Sequence, residues 1–425
     1  MSASGQPAQA QPVTAERRGN RFGPMGFVLS FGVVSMLADV VYEGARAITG
    51  PYLATLGASA VMVGFITGVG EAVALVLRLG TGPLADRTRK YWPLTIAGYA
   101  MTAVAVPLLA LAGSLWQASA LVITERFGKA VRTPARDTML SHAGATLGRG
   151  RAFAIHEALD QSGALVGPLL VSLMIAVSGY QLGFGVLAIP GALAIAAVVL
   201  LRRFVPAPER FDAGLAGDGT DATAAAHVTV PAAPAVRTPL PARFWWYSGF
   251  TAVSMFGFST FGVVSYHLEV EKVLAPALIP VTYAVSMGAA ALAALASGAL
   301  YDRIGLRGLL VALPLTAAVP FLSFSDSPAL VWAGAAVWGA ALGIHESTLR
   351  AAVADLVPAA RRGTGYGIFT AVYGLAWLAG STIIGALYAS SPAGLAVFTI
   401  ATQVAALLVF IPLLRSGAGR PAASA

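Results

Sequence analysis

The sequence contains no cysteine, which excludes disulfides, thiolate chemistry and any cysteine-ligated metal centre. Charge is also scarce: 11% of the 425 residues are Asp, Glu, Lys or Arg, while 57% are hydrophobic. Soluble domains carry about 25% charged residues, so a chain this poor in charge, with mean hydropathy +0.75, is expected in a membrane. No G-x-x-x-x-G-K-[ST] loop occurs, which argues against direct use of ATP. The N-terminal stretch lacks the apolar core of a signal peptide, and residues 1–22 read as a disordered cytosolic tail, not a cleaved leader. A net charge of +8 can signal nucleic acid, but here the bases lie between apolar runs, where they set topology.

What is present is apolar length. A spanning helix needs about 20 mostly apolar residues, and such runs fall at 26–50, 60–84, 92–113, 115–140, 152–177 and 181–201, then at 244–268, 276–300, 308–325, 329–356, 364–388 and 393–415. The expected fold is therefore an all-α integral membrane protein of twelve transmembrane helices in two pseudo-symmetric six-helix bundles, residues 23–203 and 243–415. A polar, Pro-rich connector at 204–242 reads as a flexible cytosolic linker, and 416–425 as a second cytosolic tail. Outside the runs, Lys and Arg gather on one side (among them Arg87, Lys90, Arg151, Arg202, Arg307 and Arg361), with Lys272 alone on the other. By the positive-inside rule both termini are cytosolic, and the plasma membrane is the expected location.

One motif occurs twice. Gly82-Pro83-Leu84-Ala85-Asp86-Arg87-Thr88-Arg89-Lys90 returns as Gly298-Ala299-Leu300-Tyr301-Asp302-Arg303-Ile304-Gly305-Leu306-Arg307, each copy closing an apolar run. Repetition of this kind is typical of secondary transporters. The pattern G-x-L-x-D-R-x-(G)-x-(R/K) resembles the loop between the second and third helices of the major facilitator superfamily. The second copy keeps that family's glycine at Gly305, whereas the first has Arg89 there. The segment from Arg126 to Asp137 resembles the family's fourth-helix motif R-x-x-Q-G, with Arg126 on the arginine, Lys129 in place of Gln and Ala130 in place of Gly. Gly163-Ala-Leu-Val-Gly167-Pro168 resembles the fifth-helix motif of exporters that run as antiporters, although Leu169 and Leu170 follow where glycines are usual. Small residues four apart also let two helices pack closely.

Ionisable residues inside the spans carry the remaining signal, because each costs at least about 2.5–3.5 kcal/mol at mid-membrane unless it faces a cavity or a partner. In the first run Asp39, Glu43 and Arg46 fall on one helical face; they form either a self-neutralised structural triad or one wall of a water-filled pathway. Glu71 and Arg78 share a face of the second run. The fourth run carries the stripe Glu125, Lys129, Arg132 and Arg136, with Arg126 and Asp137 beside it, and the fifth carries His156, Glu157 and Asp160. The second half is poorer, with His345, Glu346 and Arg350; Glu346 and Arg350 have the spacing of a local ion pair. Tyr42, Tyr373 and Trp377 lie within spans, facing a cavity, the core or lipid.

The resemblance covers nearly the whole chain and implies two bundles rocking about a midplane site. It gives the cytosolic gate to Gly82, Asp86 and Arg87 and, in the repeat, to Gly298, Asp302 and Arg303, with Asp86 holding the adjoining bundle near Arg361 and Arg362. Asp39 and Glu43 are the first choices for a proton carrier and Glu71 and Glu157 the next, with Arg46, Arg126 and Arg132 as counter-charges. The leading reading is a proton-coupled antiporter exporting small organic molecules, a monomer with lipid, substrate and protons as partners, no cofactor, no metal and no enzymatic activity. An importer of an anionic metabolite, suggested by the basic stripe, and a non-transporting receptor or scaffold stand as alternatives. An intramembrane hydrolase is disfavoured, since no Ser/His or metal-spaced cluster stands out.

Overall fold

The computed structural model describes residues 20–213, 239–358 and 361–415. The tail readings for 1–19 and 416–425, and the linker reading for 214–238, lie outside the described residues. Among the described residues the chain is helical, without strands. The first half comprises α1 (Pro24–Thr55), α2 (Ala60–Val76), α3 (Arg78–Thr88), α4 (Tyr91–Leu108), α5 (Leu115–Leu147), α6 (Arg149–Val186), α7 (Ala188–Phe204) and the short α8 (Arg210–Ala213). The second comprises α9 (Ala242–Phe256), α10 (Phe261–Val270), α11 (Ile279–Ile304), α12 (Ala312–Ser323), α13 (Pro328–Leu356), α14 (Arg362–Ser390) and α15 (Pro392–Arg415).

Nine stretches among the described residues are long and apolar enough to cross a membrane. Two of them, Gly150–Phe204 with 55 residues and Pro276–Ser323 with 48, would extend about 80 and 70 Å as single helices, well beyond a bilayer. Each is interrupted: non-helical backbone at Ser178 and Gly179 divides the first, and a 3-10 segment from Gly305 to Val311 divides the second. α5 is not among the nine, because its charged stripe lowers its hydropathy.

The seventh apolar run is not one helix. α9 ends at Phe256 and α10 begins at Phe261, with 257–260 non-helical. Backbone and side chains freed by the break find partners: Trp338 Nε1 donates to the Ser259 carbonyl at 3.0 Å, and the Thr260 hydroxyl lies 2.7 Å from that of Thr67 and 2.9 Å from that of Ser381. Irregular backbone at membrane depth is tolerated where protein surrounds it in this way.

The first residues of the expected linker are packed against the first bundle. Phe211 sits 5.6 Å from the Phe27 ring, Asn20 Nδ2 donates to the Ala207 carbonyl at 2.9 Å, and His142 bonds Asp212. An aromatic in a polar segment found an apolar pocket at the end of the first bundle.

α6 lies against α1 because Gly163 and Gly167 have no side chains. A Cβ on Gly163 would stand 2.3 Å from the Met36 carbonyl, and one on Gly167 2.4 Å from that of Val40. The two halves meet chiefly where α2 packs along α14 and α1 packs on α10. At the end of the helices away from both termini, Ser172 Oγ donates to the Ala277 carbonyl at 2.6 Å and the Tyr180 hydroxyl to Glu269 at 2.6 Å.

Candidate functional site

α1 and α5 run antiparallel, and their polar residues meet as a ladder. On the rung nearest the end away from the termini, Glu43 and Arg46 of α1 lie 3.6 Å apart, Arg46 reaches Glu71 of α2 at 2.9 Å, and Glu71 lies 3.4 Å from Arg126 of α5. Arg126 Nε is 3.2 Å from its neighbour Glu125 and its Nη1 bonds the Tyr42 hydroxyl. The next position holds Lys129, whose ammonium stands 3.6 Å over the Tyr42 ring. On the rung below, Arg132 approaches Asp39 at 3.9 Å and donates to Thr102 at 2.8 Å. Below that, Arg136 donates to Ser35 at 3.1 Å and lies 3.0 Å from Asp137 and 3.9 Å from Asp160 of α6.

The sequence grouped Asp39, Glu43 and Arg46 as one triad, and the structure divides it. The three share a face of α1, but seven residues of helix rise about 10 Å, so Asp39 belongs with Arg132 and Glu43 with Arg46. Burial requires such pairing: Glu43, Glu71, Glu125, Arg126 and Arg132 are all less than a tenth exposed, and an isolated charge there would be prohibitive.

The second half contributes aromatic rings. Tyr283 of α11 donates to Glu43 at 2.5 Å, and the Arg46 guanidinium lies 6.0 Å from the Tyr283 ring centroid and 5.9 Å from that of Trp377 on α14. Trp377 stands edge-on to Tyr373 at 5.7 Å and tilted to Phe258 at 6.1 Å. His345 is buried beside Phe258, 3.4 Å from the Ser254 hydroxyl, which donates in turn to Gln403 at 2.9 Å.

Other expected residues stand apart. Glu157 is exposed on α6, next to the buried His156 that stacks on Phe31. Glu346 is exposed, and the side chain of Arg350 lies outside the described residues, so the pair expected between them is not described. Asp86, Arg87, Asp302 and Arg303 are exposed. Asp86 has no ion pair or hydrogen bond among the described residues, and the side chain of Arg362, one of its two expected partners, lies outside them. Near the first motif the halves touch through Leu79 of α3 and Gly367 of α14, where a Cβ on the glycine would stand 2.4 Å from the leucine.

Tyr283 is the residue that sequence reading missed, and it carried no signal: it is one aromatic among the small residues of α11. Glu125 was visible in the α5 stripe but was not grouped with the proton carriers, although it ends the chain of buried carboxylates and guanidiniums.

The sequence matches the family described as Major Facilitator Superfamily over residues 26–381 and 273–424. An uncharacterized protein of Mycobacterium tuberculosis is 52% identical over 389 residues, covering 91% of this chain and 92% of the relative. An uncharacterized MFS-type transporter of Methanocaldococcus jannaschii is 26% identical over 387 residues, covering 86% and 89%. Among solved structures, the nucleoside transporter NupG superposes with TM-score 0.66 at 15% identity, over 92% of this chain and 99% of that one. A peptide transporter POT in complex with sulfate gives 0.68 at 16%, over 96% and 98%. Likenesses at such identities speak for the fold, and the family match speaks for descent: this multi-pass membrane protein belongs to the Major Facilitator Superfamily.

Proposed function

We propose that the protein is a proton-coupled transporter of small organic molecules, crossing the plasma membrane twelve times with both termini cytosolic and working by alternating access. The carrying observation is the chain Glu43–Arg46–Glu71–Arg126–Glu125, in which three carboxylates share two guanidiniums. One oxygen of Glu125 is buried without a hydrogen-bond partner among the described residues, and a proton is the simplest species that would neutralise the odd carboxylate. Export by antiport is the leading direction, resting on the likeness of Gly163-Ala-Leu-Val-Gly167-Pro168 to the exporter motif. Those glycines also serve the α1–α6 contact, so import of an anion is kept as a second reading, favoured by Lys129.

The test is flux in proteoliposomes under an imposed pH gradient, over a mixed compound panel. Glu125→Gln is expected to abolish gradient-driven flux in protein that is still folded by thermal denaturation, Arg126 keeping Glu71 as its partner, and the sign of the flux in the unmodified protein separates antiport from co-transport. Absence of gradient-driven flux for every compound would overturn the reading. Orientation is checked separately in the cysteine-free background: Glu209→Cys is expected to react with an impermeant maleimide only after permeabilisation of cells, and Lys272→Cys without it.

A further inference from the structure

The arginines in and beside the α5 stripe are committed. Arg126 serves Glu71 and Glu125, Arg132 serves Asp39 and Thr102, and Arg136 serves Asp137, Asp160 and Ser35. Lys129 is different: it lies mid-helix among these, partly exposed, with the Tyr42 ring beneath its ammonium and no carboxylate within 4.0 Å among the described residues. A lysine at membrane depth with no ion pair within 4.0 Å among the described residues is a cation whose charge the neighbouring side chains do not hold in direct contact.

The facing half supplies matching groups. Trp377 and Tyr373 are 2% and 6% exposed, and the Trp377 indole N–H and the Tyr373 hydroxyl have no hydrogen-bond partner among the described residues. Buried polar groups are normally satisfied, so two orphaned donor groups on adjoining rings call for acceptors that the protein does not supply. The Arg46 guanidinium, already held by Glu43 and Glu71, lies against Trp377 and connects the two walls.

We infer that this site takes an organic anion with a flat, unsaturated body: the anionic group on the Lys129 ammonium, the body against Trp377 and Tyr373, and its acceptors on their N–H and O–H. Charge-assisted contact to the ammonium supplies the selection for an anion, and the rings supply area and shape. The inference rests on the transport reading above and holds for either direction of transport.

The experiment uses the full-length protein in lipid nanodiscs and a matched pair of probes, indole-3-acetate and the neutral indole-3-acetamide, with cyclohexaneacetate as a non-aromatic anion. Binding is read by isothermal titration. The carboxylate is expected to bind about tenfold or more tightly than either comparison compound, a difference of about 1.4 kcal/mol. Lys129→Gln is expected to reduce its affinity to that of the amide without changing the amide's own, and Lys129→Arg to restore most of the loss. Trp377→Phe is expected to weaken the aromatic acid while sparing cyclohexaneacetate. Equal binding of acid and amide, wild-type affinity in Lys129→Gln, or no binding of the acid at millimolar concentration would overturn the inference. The flux panel distinguishes the two levels: gradient-driven flux of neutral or cationic compounds, unaffected by Lys129→Gln, would sink the anion site and leave transport standing, whereas no flux at all sinks transport itself.

Discussion

The Tyr283 hydroxyl donates to the Glu43 carboxylate at 2.5 Å, and this bond joins the second half of the protein directly to the buried charge chain of the first. Any rearrangement that separates α11 from α1 must break it. The state of that carboxylate and the contact between the halves are thereby linked in one pair of atoms.

Tyr283→Phe is expected to lower stability by about 1.5–3 kcal/mol, the range for a hydrogen bond to a charged group. A double-mutant cycle with Glu43→Gln, followed by thermal denaturation in detergent, isolates the bond. Additive single effects would show that the two side chains do not act together.

Asp39 is the carboxylate that faces Arg132, which is 2% exposed. Asp39→Asn leaves that guanidinium with Thr102 and the face of Tyr99, and removal of one partner of a buried pair costs about 3–5 kcal/mol. Adding Arg132→Gln is expected to recover much of the loss. If the double variant is no more stable than the single one, Asp39 is not a structural counter-charge, and its effect on flux becomes the informative measurement.

Gly50 of α1 lies against α10 so closely that a Cβ would stand 2.1 Å from the Gly262 carbonyl and 2.5 Å from Ser265 Oγ. Gly50→Val is therefore expected to wedge the halves apart at the end away from the termini. Impermeant maleimide should label Thr260→Cys faster in that background. Unchanged labelling would mean that the α1–α10 contact does not close this end.

The repeated motif predicts opposite effects at its two turn positions. Arg89 adopts φ +51°, ψ +22°, the left-handed region, and Gly305 adopts φ +61°, ψ −143°, open essentially to glycine alone. Arg89→Gly is expected to be neutral or to stabilise by up to about 1 kcal/mol, while Gly305→Ala should destabilise by about 1–3 kcal/mol. Thermal denaturation of both variants checks the pair. Asp86→Asn should leave the melting temperature within the range of a surface change, about 0.5 kcal/mol, so lost flux in that variant would indicate a contact made in another state.

Much of this arrangement is readable before any coordinates. The repeated Gly82 and Gly298 motifs announce two halves, and the α5 spacing of Glu125, Lys129, Arg132 and Arg136 places one polar face where lipid cannot be. Partners are another matter. Helical periodicity gives the direction of Asp39 but not the depth at which α5 presents Arg132, and it cannot tell that Tyr283, far along the chain, ends on Glu43. The interruption at 257–260 has no proline to announce it; it depends on acceptors and donors from α2, α13 and α14 that assemble only in the folded bundle.

α5 is too charged to count among the apolar crossings, and that bears on how the chain is made. Synthesis runs from the N-terminus, so Asp39, Glu43 and Glu71 emerge well before Arg126, Lys129 and Arg132. When α5 emerges, the acids that neutralise it are already in or beside the bilayer, and its insertion is an act of assembly with earlier helices, not of solitary partitioning. Variants that remove those acids are therefore expected to hold α5 less firmly during biogenesis and to yield less protein in the cell, beside any effect on the stability or transport of the protein that is recovered.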